Sequence, residues 1–245
     1  MKEDLVICPV YNEQETIREF YVSLRKCYSH DVLFVDDGSV DESHYFLSTA
    51  KDTHTFVQRH SQRRGYGAAL MSGFNFALRN NYRRVVTLDV DLQHKPEHIP
   101  FFLKELLEWE VVLGSRYITI AKSLDIPRQR LAINRYVSKL IGALFSVEFT
   151  DPFCGFRGYR DSFLKRVNLT ETGYSGGLDI LLEMIRMDTS FREISVEAIY
   201  FKDVRKFLDG LDNPTTRLLY YLEVISRKRK EMVNEEKISL CKPAS

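Results

Sequence analysis

The chain has almost no net charge, no long apolar run and few cysteines, and each absence excludes a class of protein. Its 245 residues include 35 Lys and Arg and 34 Asp and Glu, which gives a formal net charge of +1. A polybasic nucleic-acid-binding protein is therefore excluded as the default. No apolar run reaches the roughly 18 residues that a membrane span requires, and residues 1–4 do not lead into the apolar stretch of a signal peptide. Both absences predict a cytoplasmic protein.

Motifs that would indicate other chemistries are also missing. The four cysteines show no C-x-x-C spacing, so we expect neither a zinc site nor a disulfide framework, and we place Cys8 in the core as a reduced thiol. The chain has no G-x-x-x-x-G-K-[ST] motif, which excludes a P-loop kinase. Gly65 and Gly67 begin a pattern like the dinucleotide fingerprint, but Leu70 occupies the third glycine position. A Rossmann oxidoreductase is therefore disfavoured.

Apolar runs alternate with helical patterns along most of the chain. The runs at residues 5–10, 32–35 and 84–88 have the composition of buried parallel strands. Residues 65–80 and 99–108 place apolar side chains at helical spacing. This alternation predicts an α/β fold, with a mostly parallel central sheet flanked by helices.

The C-terminal part has a different pattern. We assign residues 1–212 to the main domain and residues 213–245 to a C-terminal helix with a polar tail. The helix is predicted at about 215–230, after the breaker Asn213-Pro214, and residues 231–245 are polar enough to fray.

Acidic and amide side chains follow the strand predicted at residues 84–88. Side chains alternate between the two faces of a strand, so Asp89, Asp91 and Gln93 point the same way and converge where the chain bends. Oxygen ligands of this kind suit Mg²⁺ or Mn²⁺, with the remaining ligands supplied by water and a substrate phosphate. A solvated acidic turn is the alternative, because Asp is common where strands end.

Two further strand ends carry polar residues. The run at 32–35 leads into Asp36 and Asp37, and the run at 5–10 leads into Tyr11 and Glu13. Ligands of open α/β sheets bind at the carboxyl ends of the strands, so these residues are candidates for ligand contact. Glu13 is equally compatible with a first-turn acid that the helix dipole favours.

The ordered motifs of this chain resemble those of the family 2 glycosyltransferases, and in particular the dolichyl- and polyprenyl-phosphate sugar synthases. The resemblance extends from about residue 5 to residue 201 and implies a GT-A nucleotide-diphospho-sugar transferase fold. It is carried by residues 9–13 (PVYNE), 35–39 (VDDGS), 64–69 (RGYGAA), 89–94 (DVDLQH), 114–117 (GSRY), Arg130 with Asn134, and 150–157 (TDPFCGFR).

The resemblance also implies roles for individual residues. The donor nucleotide is held by a group of strand-end residues: Pro9, Tyr11, Glu13, Asp36, Asp37 and Asp89. The metal ion, Mg²⁺ or Mn²⁺, is held by Asp89, Asp91 and Gln93. The phosphate of the acceptor is received by Arg116, Arg130 and Asn134, and an arginine fork is well shaped for a phosphate.

The implied reaction is the inverting transfer of a hexose from a GDP-mannose or UDP-glucose type donor to dolichyl or polyprenyl phosphate. The catalytic group comprises Asp91, Arg116, Arg130 and Asp179, the last as general base if the acceptor is a hydroxyl. A helix N-terminal acid is the other interpretation of Asp179. The alternatives are a glycolipid or soluble hydroxyl acceptor, favoured by residues 202–207 (KDVRKF), which lack the glycine of the family loop, and an inactive nucleotide-sugar-binding protein.

Two segments are candidates for membrane contact. Residues 133–149 carry an apolar helical stripe after Arg128 and Arg130, which suits an interfacial helix at the cytoplasmic membrane face. Residues 216–230 carry a second stripe that ends in four basic residues. Packing on the sheet or on a second subunit is the alternative for both segments, and we prefer it for the second.

Overall fold

The computed structural model describes residues 2–50, 52–119, 126–197, 199 and 210–240. The strands are β1 (Lys2–Val10), β2 (Val32–Asp36), β3 (Thr55–Arg59), β4 (Tyr82–Thr87), β5 (Val111–Ser115), β6 (Arg157–Arg160) and β7 (Phe191–Ser195). The helices are α1 (Ile17–Cys27), α2 (Ser43–Thr49), α3 (Tyr66–Arg79), α4 (Ile99–Glu105), α5 (Arg128–Phe145), α6 (Asp161–Leu164), α7 (Gly176–Arg186) and α8 (Pro214–Leu240).

The strands form one seven-stranded sheet in the order β3-β2-β1-β4-β6-β5-β7. Strand β1 is parallel to both neighbours, and its Val6 is paired with Val32 on one side and Val86 on the other. Strand β6 is antiparallel to both β4 and β5. The predicted α/β fold with a mostly parallel sheet is therefore confirmed. The reversed β6 starts at the edge where β4 and β5 end, which brings residues 151–157 to that edge.

Alternation along the strands divides the core into two layers. Leu5 and Ile7 of β1 pack in the layer that includes α3, α5, α7 and α8. Val6 and Cys8 pack in the opposite layer, with residues of α1 and α4. All four side chains are fully buried, which confirms the core position expected of Cys8. Burial of an apolar side chain of this size stabilises the fold by about 1.5–3 kcal/mol.

Glycines bring the start of α3 against the segment before α7. A Cβ on Gly67 would overlap the carbonyl oxygen of Glu171, and a Cβ on Gly176 would overlap Gly67 itself. The backbone N–H groups of Gly67 and Ala68 donate to the carbonyls of Gly173 and Thr172, both at 3.0 Å. These first-turn amides are therefore satisfied by the protein, so the glycine pattern here serves close packing.

Helix α8 is longer than its sequence pattern predicts. It continues to Leu240, so the helix end predicted near residue 230 is wrong. Tyr221, Val224 and Ile225 are buried in the core layer of α5 and α7. Farther along, Glu235 extends toward Arg186 at 3.4 Å, which ties the later turns to α7.

Helix α5 ends at Phe145, four residues before the predicted end at 149. Ser146 takes a left-handed conformation with φ of 56°, which stops the helix. The loop at residues 202–207, which follows β7 in the chain, lies outside the described residues. Within the described residues, no helix combines the length and apolarity that crossing a membrane requires.

Candidate active site

One cavity opens at the edge where β1, β2, β4 and β5 end. It contains nine of the twelve residues that the sequence predicts for the site: Pro9, Tyr11, Asp37, Asp89, Asp91, Gln93, Arg116, Arg130 and Asn134. Glu13, Asp36 and Asp179 are not among the residues that line it. In the strand order, the acids that line the cavity follow β2 and β4 on one side of β6, and Arg116 follows β5 on the other side.

Side chains continue to alternate between the two faces of the sheet past the end of β4, and this alternation sets the direction of the acidic residues. Leu88 and Val90 are buried in the layer of α1 and α4. Asp89 and Asp91 consequently face the cavity together with Thr87. Leu92 then takes a left-handed conformation with φ of 60°. This turn lets the N–H of Gln93 donate to Asp91 Oδ1 at 3.1 Å, and it places the Gln93 side chain in the same cavity.

The donor atoms at this turn suit a hard divalent cation. No cluster of three or more His, Cys, Asp or Glu side chains with metal-binding geometry occurs in the described part of the chain. Magnesium sites in nucleotide-using enzymes commonly take one or two carboxylates, and waters and phosphates complete the shell. Asp89 and Asp91, with the amide oxygen of Gln93, fit an ion of this kind.

Tyr66 and Gly155 position Asp89. The Tyr66 hydroxyl is hydrogen-bonded to the Asp89 carboxylate, and burial together with the charge of Asp89 raises the pKa of Tyr66 well above its ordinary value. A Cβ on Gly155 would overlap Asp89 Oδ2 and lie 3.1 Å from the Tyr66 hydroxyl. The carboxylate is thus held between a phenol from α3 and the backbone before β6. The sequence motifs contained both residues but indicated no role for them.

Asp37 is built into the end of β2 by three hydrogen bonds. Its Oδ1 accepts from the backbone N–H of Arg64 at 2.8 Å and contacts His60 Nδ1 at 2.7 Å. Its Oδ2 accepts from the N–H of Gly65 at 2.7 Å. The other ring nitrogen of His60 lies 2.8 Å from Ser72 Oγ on α3. Asp37 therefore organises the loop that follows β3, and it also lines the cavity.

Asp36 and Glu13 lie away from the cavity. Neighbouring strand residues point to opposite faces, so Asp36 and Asp37 cannot both enter it. Asp36 Oδ1 accepts from the N–H of Ser39 at 2.8 Å, and its Oδ2 pairs with Arg59 Nε at 3.3 Å. The Glu13 carboxylate accepts from Thr16 Oγ1 at 3.2 Å, at the start of α1. Both acids shape loops beside the site and are not among the residues that line the cavity, so the nucleotide contact expected of each stays a prediction.

Arg116 is fixed by a buried carboxylate. Asp151, 1% exposed, accepts from Arg116 Nε at 2.7 Å and from Arg116 Nη2 at 2.9 Å. Asn134 Nδ2 donates to Asp151 Oδ1 at 2.7 Å. Burial alone would raise the pKa of Asp151, but the charge of Arg116 and the hydrogen bonds from Arg116 and Asn134 together lower it. The carboxylate therefore stays ionised and holds the guanidinium in the cavity wall.

Asn134 is oriented by this pair. Its amide nitrogen donates to Asp151, so Oδ1 is the side-chain atom left to contact a ligand. This oxygen is buried and has no hydrogen-bond partner among the described residues. An amide oxygen accepts hydrogen bonds and repels phosphate oxygens. The geometry therefore suits Asn134 to positioning Asp151 and receiving a hydroxyl, in contrast to the phosphate contact predicted for it.

Three more arginines line the cavity, Arg63, Arg157 and Arg217, and the sequence motifs indicated a role for none of them. Arg157 of β6, 2% exposed, donates from Nε to the Cys154 carbonyl at 2.8 Å and from Nη2 to the Pro152 carbonyl at 2.7 Å. Arg217 enters from the first turn of α8. In the sequence, Arg217 is recognisable only as a basic residue near the start of a predicted helix, about 100 residues after Arg116.

Asp179 lies beneath the cavity wall and is fully buried. Its Oδ2 accepts from the N–H groups of Thr170 at 2.8 Å and Glu171 at 3.0 Å. Its Oδ1 lies 3.3 Å from Lys228 Nζ of α8. These contacts make Asp179 a brace for the segment before α7, and the geometry gives no support to its predicted role as a general base.

Cys154 and His94 form a neutral pair in the wall beside Arg116. Cys154 Sγ lies 3.6 Å from His94 Nε2. Burial, with a smaller effect of the Asp151 charge, raises the pKa of the Cys154 thiol to about 12. Burial and the charge of Arg116 lower the pKa of His94. Near neutral pH the thiol keeps its proton and the imidazole is uncharged, so the pair adds no charge to the cavity.

Known proteins resemble this chain over most of its length. The sequence profile described as Glycosyl transferase family 2 matches residues 5–167. The undecaprenyl-phosphate mannosyltransferase of Micrococcus luteus is 29% identical over 198 residues, which are 78% of this chain and 82% of that protein. The polyprenol monophosphomannose synthase of Mycolicibacterium smegmatis is 28% identical over 200 residues, which are 78% of this chain and 76% of that protein.

Solved structures resemble the fold. Glucosyl-3-phosphoglycerate synthase from Mycobacterium tuberculosis, in complex with Mn²⁺, uridine diphosphate and phosphoglyceric acid, superposes with a TM-score of 0.69 at 18% identity, over 93% of this chain and 78% of that one. The TarS fragment 1–349 of S. aureus superposes with a TM-score of 0.56 at 19% identity, over 81% of this chain and 59% of that one. The expected GT-A fold is thereby confirmed.

Proposed function

Because the chain belongs to glycosyl transferase family 2 and is a glycosyltransferase, we propose that it transfers a hexose from a nucleotide-diphosphate sugar to a dolichyl or polyprenyl phosphate. The observation that carries this proposal is one cavity at the sheet edge that is lined by Asp89, Asp91 and Gln93 and also by Arg116 and Arg130. The two relatives named for polyprenyl-phosphate mannose chemistry support the same acceptor class.

The acidic side of the cavity suits a nucleotide diphosphate. Asp89, Asp91 and Gln93 would hold Mg²⁺ or Mn²⁺, which supplies Lewis-acid stabilisation of the departing diphosphate. The Mn²⁺ in the M. tuberculosis complex is consistent with a divalent ion in this fold. Pro9, Tyr11 and Asp37 line the neighbouring part of the cavity and would hold the nucleoside. A GDP-mannose or UDP-glucose type donor has the diphosphate and the nucleoside that these two groups of residues would bind.

The basic side suits an anionic acceptor. A phosphate monoester has a second pKa of about 6, so it is largely ionised near neutral pH and needs aiming more than deprotonation. Asp151 holds the Arg116 guanidinium by two hydrogen bonds, so its fork is already oriented when the acceptor arrives. Arg130 lines the same wall from the first turn of α5. Attack of the phosphate oxygen on the anomeric carbon would invert its configuration.

A hydroxyl acceptor has less support. Such an acceptor needs a general base, and the candidate Asp179 is committed to Thr170, Glu171 and Lys228. The presence of Asp89, Asp91 and Gln93 in one cavity argues against a protein that only binds the sugar nucleotide. Contact with a membrane surface, a homodimer and a cytoplasmic location stay predictions.

Transfer assays with matched acceptors test the proposal. With Mn²⁺ and a nucleotide-sugar donor, a short-chain prenyl phosphate should be glycosylated and the corresponding prenyl alcohol should not. Arg130→Ala should weaken use of the prenyl phosphate by about ten- to a hundredfold, the cost of a charge-assisted hydrogen bond, and leave donor affinity near the wild-type value.

Arg128→Ala is the matched control, because Arg128 is exposed and lies two residues earlier in the same helix. It should leave both substrates unaffected. Equal transfer to the alcohol and the phosphate would refute the phosphate acceptor. An Arg130→Ala variant with wild-type acceptor use would remove Arg130 from the site.

A further inference from the structure

The first turns of α8 form part of the cavity wall. Arg217 and Tyr221, one helical turn apart, both line the cavity, and Arg217 is 5% exposed. Arg217 Nη1 donates to the Leu211 carbonyl at 2.6 Å and to the Asp212 carbonyl at 3.5 Å, which orients the guanidinium at the entry to the helix. Burying a guanidinium is costly, and an anion bound in the cavity would offset part of that cost.

Arg217 and Arg130 line the same cavity. Burial lowers the pKa of Arg217, and the positive charge of Arg130 acts in the same direction, while Tyr221, Tyr174 and Asp212 oppose it. The two arginines come from different helices, since Arg130 lies at the start of α5 and Arg217 at the start of α8. Positive charges that line one cavity repel each other, and an anion bound in that cavity reduces the repulsion.

We infer that Arg217 is a binding residue for the acceptor phosphate. The guanidinium groups of Arg130 and Arg217 would contact this phosphate from two different helices. This inference rests on the proposed function, because it requires an acceptor that is a phosphate monoester. Arg116, held by Asp151, lines the same cavity, so the cavity presents these three guanidinium groups to an anionic ligand. A doubly charged monoester matches such a wall better than a neutral alcohol does.

Two substitutions at position 217 separate charge from local structure. Arg217→Gln removes the charge and keeps an N–H donor group on a shorter side chain. Arg217→Lys keeps the charge and loses the planar fork. Arg229→Gln is the matched control, because Arg229 lies on the same helix and is exposed. Isothermal titration calorimetry would measure the affinity for a short-chain prenyl phosphate and, separately, for the nucleoside diphosphate with Mn²⁺.

Arg217→Gln should weaken prenyl phosphate binding by about ten- to a hundredfold, and Arg217→Lys should recover most of that loss. Nucleoside diphosphate affinity should change less than about twofold in both variants and in the control. Equal prenyl phosphate affinities for the Gln and Lys variants would overturn the inference. A parallel loss of diphosphate affinity and of melting temperature would overturn it too, because Arg217 would then act only through the fold.

A failure of the proposed function would look different. If the wild-type protein does not bind prenyl phosphate, the lipid acceptor is wrong whatever Arg217 does. Titration of the same variants with inorganic phosphate then decides the role of Arg217. A weaker affinity in Arg217→Gln, recovered in Arg217→Lys, would support an anion site for a soluble phosphate, and unchanged affinities would overturn it.

Discussion

Asp151→Asn should be among the most damaging isosteric changes in this chain. The carboxylate accepts five hydrogen bonds: two from the Arg116 side chain, one from the Arg116 N–H, one from Asn134 and one from the Phe153 N–H. An asparagine presents one acceptor oxygen and one NH₂ group, so part of this donor set faces another donor. Arg116 also loses the carboxylate that balances its charge.

The size of the effect follows from burial. The side chain of Asp151 is fully buried and that of Arg116 is 11% exposed. Breaking a buried pair by removing one partner costs about 3–5 kcal/mol, and the partial exposure of Arg116 places the expected loss at the lower end of this range. Such a loss is a large part of a typical total stability of about 5–15 kcal/mol.

Urea unfolding at a series of pH values is the assay. The pKa of Asp151 is lowered from its ordinary value of 3.8, so its stabilisation is present above that value and is lost as the pH falls through the folded-state pKa. The difference between the wild type and Asp151→Asn should therefore be constant near neutral pH and shrink below about pH 4.

Asp161→Asn is the control for this measurement, because Asp161 pairs with Lys165 at the surface and should lose about 0–1 kcal/mol. For Asp151→Asn, a loss below about 1 kcal/mol at neutral pH would refute the reasoning. It would mean that Arg116 is hydrated or finds another acceptor without cost.

Three further changes test the donor side. Asp91→Asn should abolish turnover at limiting Mn²⁺ with an unchanged melting temperature, and wild-type turnover in that variant would show that the metal site is misassigned. Gly155→Ala should lower kcat by about a hundredfold for each displacement of about 1 Å that the new Cβ imposes on Asp89, and an unchanged kcat with unchanged Mn²⁺ affinity would contradict the close contact. Asp37→Ala should raise the Kd of the nucleoside diphosphate in calorimetry and leave prenyl phosphate affinity unchanged, whereas an unchanged Kd would move the nucleoside elsewhere on the edge.

Local pattern was sufficient to predict the direction of the residues that follow β4. Alternation in and after this strand depends only on neighbouring residues, so the amino-acid sequence alone implies the common direction of Asp89 and Asp91. Gln93 joins them through the left-handed turn at Leu92, which alternation does not predict. The same rule, applied to β2, shows that Asp36 and Asp37 point to opposite faces. What the sequence does not reveal is which of the two acids faces the cavity, because that depends on where β2 lies in the sheet.

The features of the site that the sequence did not predict depend on contacts between residues far apart in the chain. Asp179 has the sequence context of a general base, but Lys228 reaches it from α8, and no pattern within either helix predicts that contact. Arg217 enters the cavity for the same reason, because α8 packs against α5 and α7. The predicted boundary at residue 212 separates a helix from the cavity that it helps to line, although the apolar spacing correctly indicated the helix itself.

The reversed direction of β6 also limits how the chain can change in length. Residues 151–157 are anchored at one end by Asp151 on Arg116 and at the other by the pairing of β6 with β4 and β5. One inserted residue would either displace Asp151 or slip β6 by one position, and a slip exchanges the faces of its side chains. Gly158 packs against Leu106, the residue after α4, and a Cβ on Gly158 would lie 2.9 Å from Leu106 Cδ1, so the ring of Tyr159 has no room there. Insertions in this segment should be far less tolerated than side-chain substitutions, because the number of residues sets the geometry of both substrate sites.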